Sequence, residues 1–209
     1  MIQPVRRALE EPLRQLADNG ALLIAILAPS ITGIYMLRTE IVHLLIAGPF
    51  QQVTLAVLPL SALAGSIRSV RAHFVDQTFL LHDRTQLMIV VAAIDATATV
   101  VLGFILIRYW GLVGAAGATV LAAIAAAIVS FTIGFSKFGL MLPLNHLVPI
   151  TLATAAMAAV LSNLAEATSL LMLAAHITAG VTIYIAVLVP LYATSLLKMF
   201  RLRQQQSES

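Results

Sequence analysis

The chain has 209 residues, of which 60% are hydrophobic and 10% charged, with a formal net charge of +3 and no cysteine. Soluble domains carry about 25% charged residues, and a domain this small keeps much of its surface in water. A soluble domain is thereby excluded, and disulfide or thiol chemistry with it.

The first residues, MIQPVRRALEEPLRQLADNG, contain no apolar core of the kind a signal peptide needs. Val5, Leu9, Leu13 and Leu16 fall on one side with charges opposite, so residues 1–20 read as a cytoplasmic amphipathic segment. It would lie on the membrane surface or between two helices. Six apolar blocks follow at approximately 21–46, 53–74, 87–107, 112–135, 147–164 and 170–197, each near the ~20 residues that cross hydrocarbon. None alternates as a barrel strand would, and a helix satisfies its own backbone in lipid. The expected fold is therefore all-α, a lobe of six transmembrane helices over 21–197. Short connections such as AGPFQQ, HDRTQ, FGLMLPLNH and NLAEATS carry turn signals. Residues 198–209 read as a polar cytoplasmic tail, frayed at its end.

Basic residues orient the lobe. Arg6, Arg7 and Arg14 precede the first block, and Lys198, Arg201 and Arg203 follow the last. Arg84 and Lys137 lie in the second and fourth connections. The first and fifth have no Lys or Arg, and the third has only Arg108 at its edge. Six crossings put both termini on the same side, and the basic bias makes it cytoplasmic. The positive charge thus reflects topology and gives no sign of nucleic-acid binding.

In the stretch YWGLVGAAGATV, Gly111, Gly114 and Gly117 are three apart. A dinucleotide loop needs G-x-G-x-x-G after a strand and an acidic residue ~20 positions on, whereas the next acidic residue is Glu166. The Gly-Lys-Ser/Thr of a P-loop is also missing. The glycines and Ala118 instead read as a small-residue face for close helix packing, with a tight outer turn.

Charged residues inside spans cost ~2.5–3.5 kcal/mol each near the bilayer centre. Arg38, Glu40 and His43 lie towards the outer end of the first block and read as an interfacial ion pair or as snorkelling side chains. Arg68 and Arg71 share a helix face, with His73 and Asp76 following. If their helix runs on to Leu81, Arg71 lies ~15 Å and Arg68 ~20 Å above its end, and Asp95 lies ~12 Å above Leu87 on the next, antiparallel helix. Arg71 and Asp95 therefore reach similar depths, in partial charge balance. Two readings stay open: a structural salt bridge, or a site where Arg68 and Arg71 meet a phosphate, for which the planar guanidinium fork is suited.

Pro29, Pro59, Pro149 and Pro190 fall within spans, where kinks are tolerated. His176 reads as hydrogen-bonded to a neighbour and His146 as an interfacial loop residue. His73 and His82 lack the carboxylate pattern of a metal site. Neither G-x-S-G nor H-E-x-x-H occurs, so no enzyme, catalytic residue, metal or cofactor is expected. A coupling ion is left undetermined.

YWGLVGAAGATVLAAIAAAIVSFTIGFSKFGLMLP resembles the "fGl.GAA.at…r.g..lp" segment of polysaccharide and lipopolysaccharide flippases of the MOP (multidrug/oligosaccharidyl-lipid/polysaccharide exporter) superfamily. LAPSITGIYMLRTEIVHLLIAGPFQQ resembles that family's proline-containing helix ending in "ei..ll.G..f", and VDQTFLLHDRTQLMIVVAAIDATATVVLGFILI its helix–loop–helix unit before the GAA motif. The resemblance covers nearly the whole chain and implies one lobe of a two-lobe transporter. Two six-helix bundles would surround a cationic cavity in the bacterial inner membrane. A polyprenyl-linked oligosaccharide would cross by alternating access, its tail remaining in the bilayer. This chain is equivalent to the carboxy-terminal lobe, so the resemblance implies a fragment whose partner is a missing amino-terminal lobe or a second chain. Arg68, Arg71 and Asp95 are the cavity candidates. The alternatives are a multidrug or cation exporter of the same superfamily, and a non-transporting six-span scaffold or remnant.

Overall fold

The computed structural model describes residues 3–207, with side chains over 11–192. Every element among them is helical. Helix α1 (Gln3–Met36) runs through Gly20 without a break, so the amphipathic stretch and the first apolar block form one rod. Its N-terminal part is held by burial: Leu16 and Ala17 pack with Phe74, Val75 and Leu140.

The first block does not extend to residue 46 as a single helix. α1 stops at Leu37 (φ −93°, ψ 10°) and α2 (Arg38–Leu45) begins. A short 3-10 turn at Gly48–Phe50 leads into α3 (Gln51–Val70). A π turn, Arg71–Val75, then joins α3 to α4 (Gln77–Leu81).

α5 (Gln86–Phe138) contains two of the expected blocks. Drawn straight it would measure about 80 Å, far more than the ~30 Å hydrocarbon core. It is not straight. Gly111 has φ 54° and ψ −134°, a conformation that costs an L-residue roughly 1–2 kcal/mol and glycine nothing comparable. Leu106 and Gly114 would stand about 12 Å apart in an unbroken helix, yet here the Leu106 carbonyl lies where a Cβ on Gly114 would be. The chain folds back on itself. Leu87, Met88 and Val91 of the first arm accordingly cluster with Ala126, Val129, Ile133 and Phe138 of the second, around Phe79. Gly117 faces the Leu106 side chain, and Ala118 is buried. Gly111 thus serves the turn and Gly114 the close approach.

α6 (Leu144–Leu161) and α7 (Leu170–Ser207) complete the fold. The backbone of α7 continues as helix to Ser207, and the end of the tail lies outside the described residues. Each of Pro29, Pro59, Pro149 and Pro190 sits inside a helix. α3 packs on the α5 hairpin, α1 on α3 and α6, and α6 on α7.

Among the described residues, five helical segments are long and apolar enough to cross a membrane, the α5 hairpin counting as one. The distribution of polarity agrees. Phe104 and Leu171 are 80% and 83% exposed, whereas Arg71, Asp76 and Asp95 are buried. Water would penalise such an exterior, and lipid would not.

Candidate functional site

The buried charges converge where α3, the π turn and α5 meet. Arg68 presents its fork to Asp95, Nε donating to Oδ2 at 2.9 Å and Nη2 to Oδ1 at 2.8 Å. Nη2 also donates to Thr99 Oγ1 at 3.1 Å. Arg71 reaches the same carboxylate, with Nη2 3.4 Å from Asp95 Oδ2. Asp95 is therefore a shared anion between two guanidinium groups.

Asp76 is the member that helical periodicity conceals. At 100° per residue, positions five apart lie about 140° from each other around an α-helix. The π turn changes this: the Asp76 N–H donates to the Arg71 carbonyl at 2.8 Å, the i→i+5 pattern of such a turn. Arg71 Nη1 then lies 3.7 Å from Asp76 Oδ2, and Ser130 Oγ on the second arm of α5 donates to Asp76 Oδ1. The cluster so becomes two arginines against two aspartates, not the excess of arginine that Arg68, Arg71 and Asp95 alone would give.

Exposure separates the members. The Arg71, Asp76 and Asp95 side chains are enclosed, and that of Arg68 remains 36% exposed. Among the described residues, Arg68 Nη1 has no hydrogen-bond acceptor. Beside it, on the first arm of α5, runs a groove of about 450 Å³ lined by Thr99, Val100, Gly103, Phe104, Ile107 and Arg108. The guanidinium with an unused edge is thus hydrogen-bonded to Thr99, a residue of that largely apolar groove, whose lining also includes Arg108. That arrangement fits an anion attached to a hydrocarbon.

The other charged candidates separate. Arg38 turns to Tyr35, donating to its carbonyl at 2.7 Å and lying 4.3 Å from its ring centroid. Glu40 faces away from Arg38, towards His176 of α7. His146 pairs with the Tyr192 hydroxyl at 3.1 Å and lies 3.7 Å from Asp18. His82 Nδ1 lies 2.8 Å from the Thr78 carbonyl oxygen. Among the described residues, no three His, Asp or Glu side chains converge as a metal ion would require. No protein-family model matches the chain, and no curated protein or solved structure matches it.

Proposed function

We propose that this chain is one lobe of a translocator that moves a lipid-linked oligosaccharide across the bacterial inner membrane by alternating access. In this reading the α5 hairpin crosses twice, which makes six crossings and leaves both termini cytoplasmic. The lobe closes its cavity against a second six-helix lobe, supplied by the same polypeptide or by another chain. The observation that carries the reading is the partly exposed Arg68, whose Nη2 is hydrogen-bonded to Thr99 of the groove that runs from Thr99 to Arg108.

Chemistry favours an anionic over a cationic cargo. Both oxygens of Asp95 already accept hydrogen bonds from arginine, and Asp76 is enclosed between Arg71 and Ser130. No carboxylate of the cluster is free for a cation, as a multidrug exporter would need. A diphosphate oxygen, in contrast, meets Arg68 Nη1 without breaking a bond of the cluster. A non-transporting scaffold would have no use for a charge left open at this depth.

Binding discriminates these readings. With the protein in nanodiscs, a short-chain polyprenyl diphosphate saccharide should bind, and a lipophilic phosphonium cation should not compete with it. A charge-assisted hydrogen bond is worth roughly 1.5–3 kcal/mol, so Arg68→Gln should weaken the anion about tenfold or more. Preferential binding of the cation, or affinity unchanged in Arg68→Gln, would overturn the anionic reading.

A further inference from the structure

A second buried polar pair, with no member in common with the Arg68 cluster, joins α2 to α7. Glu40 of α2 and His176 of α7 approach to 3.4 Å between Oε1 and Nδ1, with side chains only 11% and 8% exposed. Glu40 Oε1 accepts a hydrogen bond from Ala167 N–H, in the α6–α7 connection, at 3.0 Å. Glu40 Oε2 and His176 Nδ1 are both buried without a hydrogen-bond partner. His176 shares a cavity lining with Leu37, Met157 and Leu161, which belong with Ala167 to one apolar cluster.

The surrounding groups do not neutralise Glu40. On its own helix, Arg38 is engaged with Tyr35, and His43 is exposed. The ionisable group of α1 nearest this end is Tyr35. In α3 it is Arg68, about 26 Å along the helix from Gln51. α6 carries only His146, at its far end. On α7, Tyr184 donates its hydroxyl hydrogen to the Ala25 carbonyl, and Tyr192 pairs with His146. Glu166, beside Ala167, is exposed and of the wrong sign. Among the described residues, His176 is the one group in contact that can supply a positive charge, and it does so only when protonated.

We propose that Glu40 and His176 form a one-proton binding site that latches α2 to α7 and to the α6–α7 connection. Without the proton the pair carries one net negative charge inside an apolar cluster, which is strongly unfavourable. With it the pair is neutral, and Nδ1–H faces Oε1, the carboxylate oxygen 3.4 Å away that also accepts from Ala167. The proton is taken from and returned to solvent, and no other bond changes. The latch follows because the carboxylate held by His176 also anchors Ala167 N–H. The assignment does not depend on what the protein transports.

Two measurements on the full chain in liposomes test it. Nitrogen NMR of labelled histidine follows protonation across pH 5 to 8.5, with His176 identified by its loss in His176→Gln. Hydrogen exchange at Ala167, corrected for its intrinsic pH dependence, follows the latch. In the wild type His176 should take up a proton in one step, and Ala167 should exchange at least about tenfold more slowly once it has, a change of about 1.4 kcal/mol. Glu40→Gln retains an acceptor for Ala167 but removes the charge. It should weaken proton uptake by His176 at least about tenfold by the same conversion. His176→Gln, a second variant should the first not fold, should make corrected exchange independent of pH. Proton uptake by His176 unchanged in Glu40→Gln, or Ala167 exchange in the wild type indifferent to His176 protonation, would overturn the proposal.

Discussion

Asp95→Ala is expected to destabilise the fold by about 3–5 kcal/mol, the usual consequence of removing one partner from a buried ion pair. Asp95 is the anion that both arginines share. Without it, Arg68 retains Thr99 and an exit to the surface, whereas Arg71 is left enclosed with Asp76 at 3.7 Å. The uncompensated charge is therefore mainly that of Arg71. Two comparisons isolate this cause. Arg68→Ala should cost less, because Asp95 keeps Arg71 and the lost side chain was partly exposed. Adding Arg71→Met together with Asp76→Asn to Asp95→Ala should recover much of the loss, because it removes the enclosed cation without stranding the Asp76 carboxylate beside it, and replacing buried ionic groups by neutral ones of similar volume is often neutral or stabilising. Thermal unfolding in detergent, with far-ultraviolet circular dichroism as the readout, measures all three. A loss below about 1 kcal/mol for Asp95→Ala would show that the carboxylate is not holding Arg71.

Gly114→Ala should have a comparable effect from one added methyl group. Its Cβ would meet the carbonyl of Leu106 and the peptide carbon behind it, and backbone cannot rotate aside as a side chain does. Overpacking a core ordinarily costs 1–3 kcal/mol, so with a backbone obstacle about 3 kcal/mol or more is expected. The hairpin would have to open. Gly103→Ala is the control on the same helix, because a Cβ there meets nothing within 4 Å. It should be neutral or slightly stabilising, given the ~1 kcal/mol helix preference of alanine over glycine. Equal effects at the two positions would show that the close approach at Gly114 does not hold the hairpin closed.

These two sites differ in how far the sequence reveals them. Gly111, Gly114 and Gly117 declare a turn and a close approach because small residues at that spacing between two apolar blocks have few other uses. The apolar blocks likewise declare helices by length alone. The depth of Arg71 and Asp95 follows from helical rise, which is why their meeting can be anticipated. The π turn defeats the same arithmetic. One irregular turn carries Asp76 round to Arg71, and nothing in RAHFVD announces it. The break at Leu37 has no proline or glycine beside it to mark it. Conversely, Asp-Asn-Gly at 18–20 looks like a boundary, yet the helix passes through because Leu16 and Ala17 are fastened to the π turn and Leu140. Glu40 and His176 are drawn together from opposite ends of the chain, and Arg38, the cation nearest in sequence, is a local decoy. Long-range pairing of this kind leaves no periodic trace.

The account stands most directly on transport. Vesicles carrying the protein, together with any second lobe its cavity requires, would be loaded with a fluorescent polyprenyl diphosphate saccharide. Accessibility of the sugar to an impermeant quencher would then be followed in time. The account predicts exchange between leaflets well above protein-free vesicles, slowed about tenfold or more by Arg68→Gln in proportion to the lost charge-assisted contact. Exchange equal in wild-type and protein-free vesicles, or in wild type and Arg68→Gln, would contradict it.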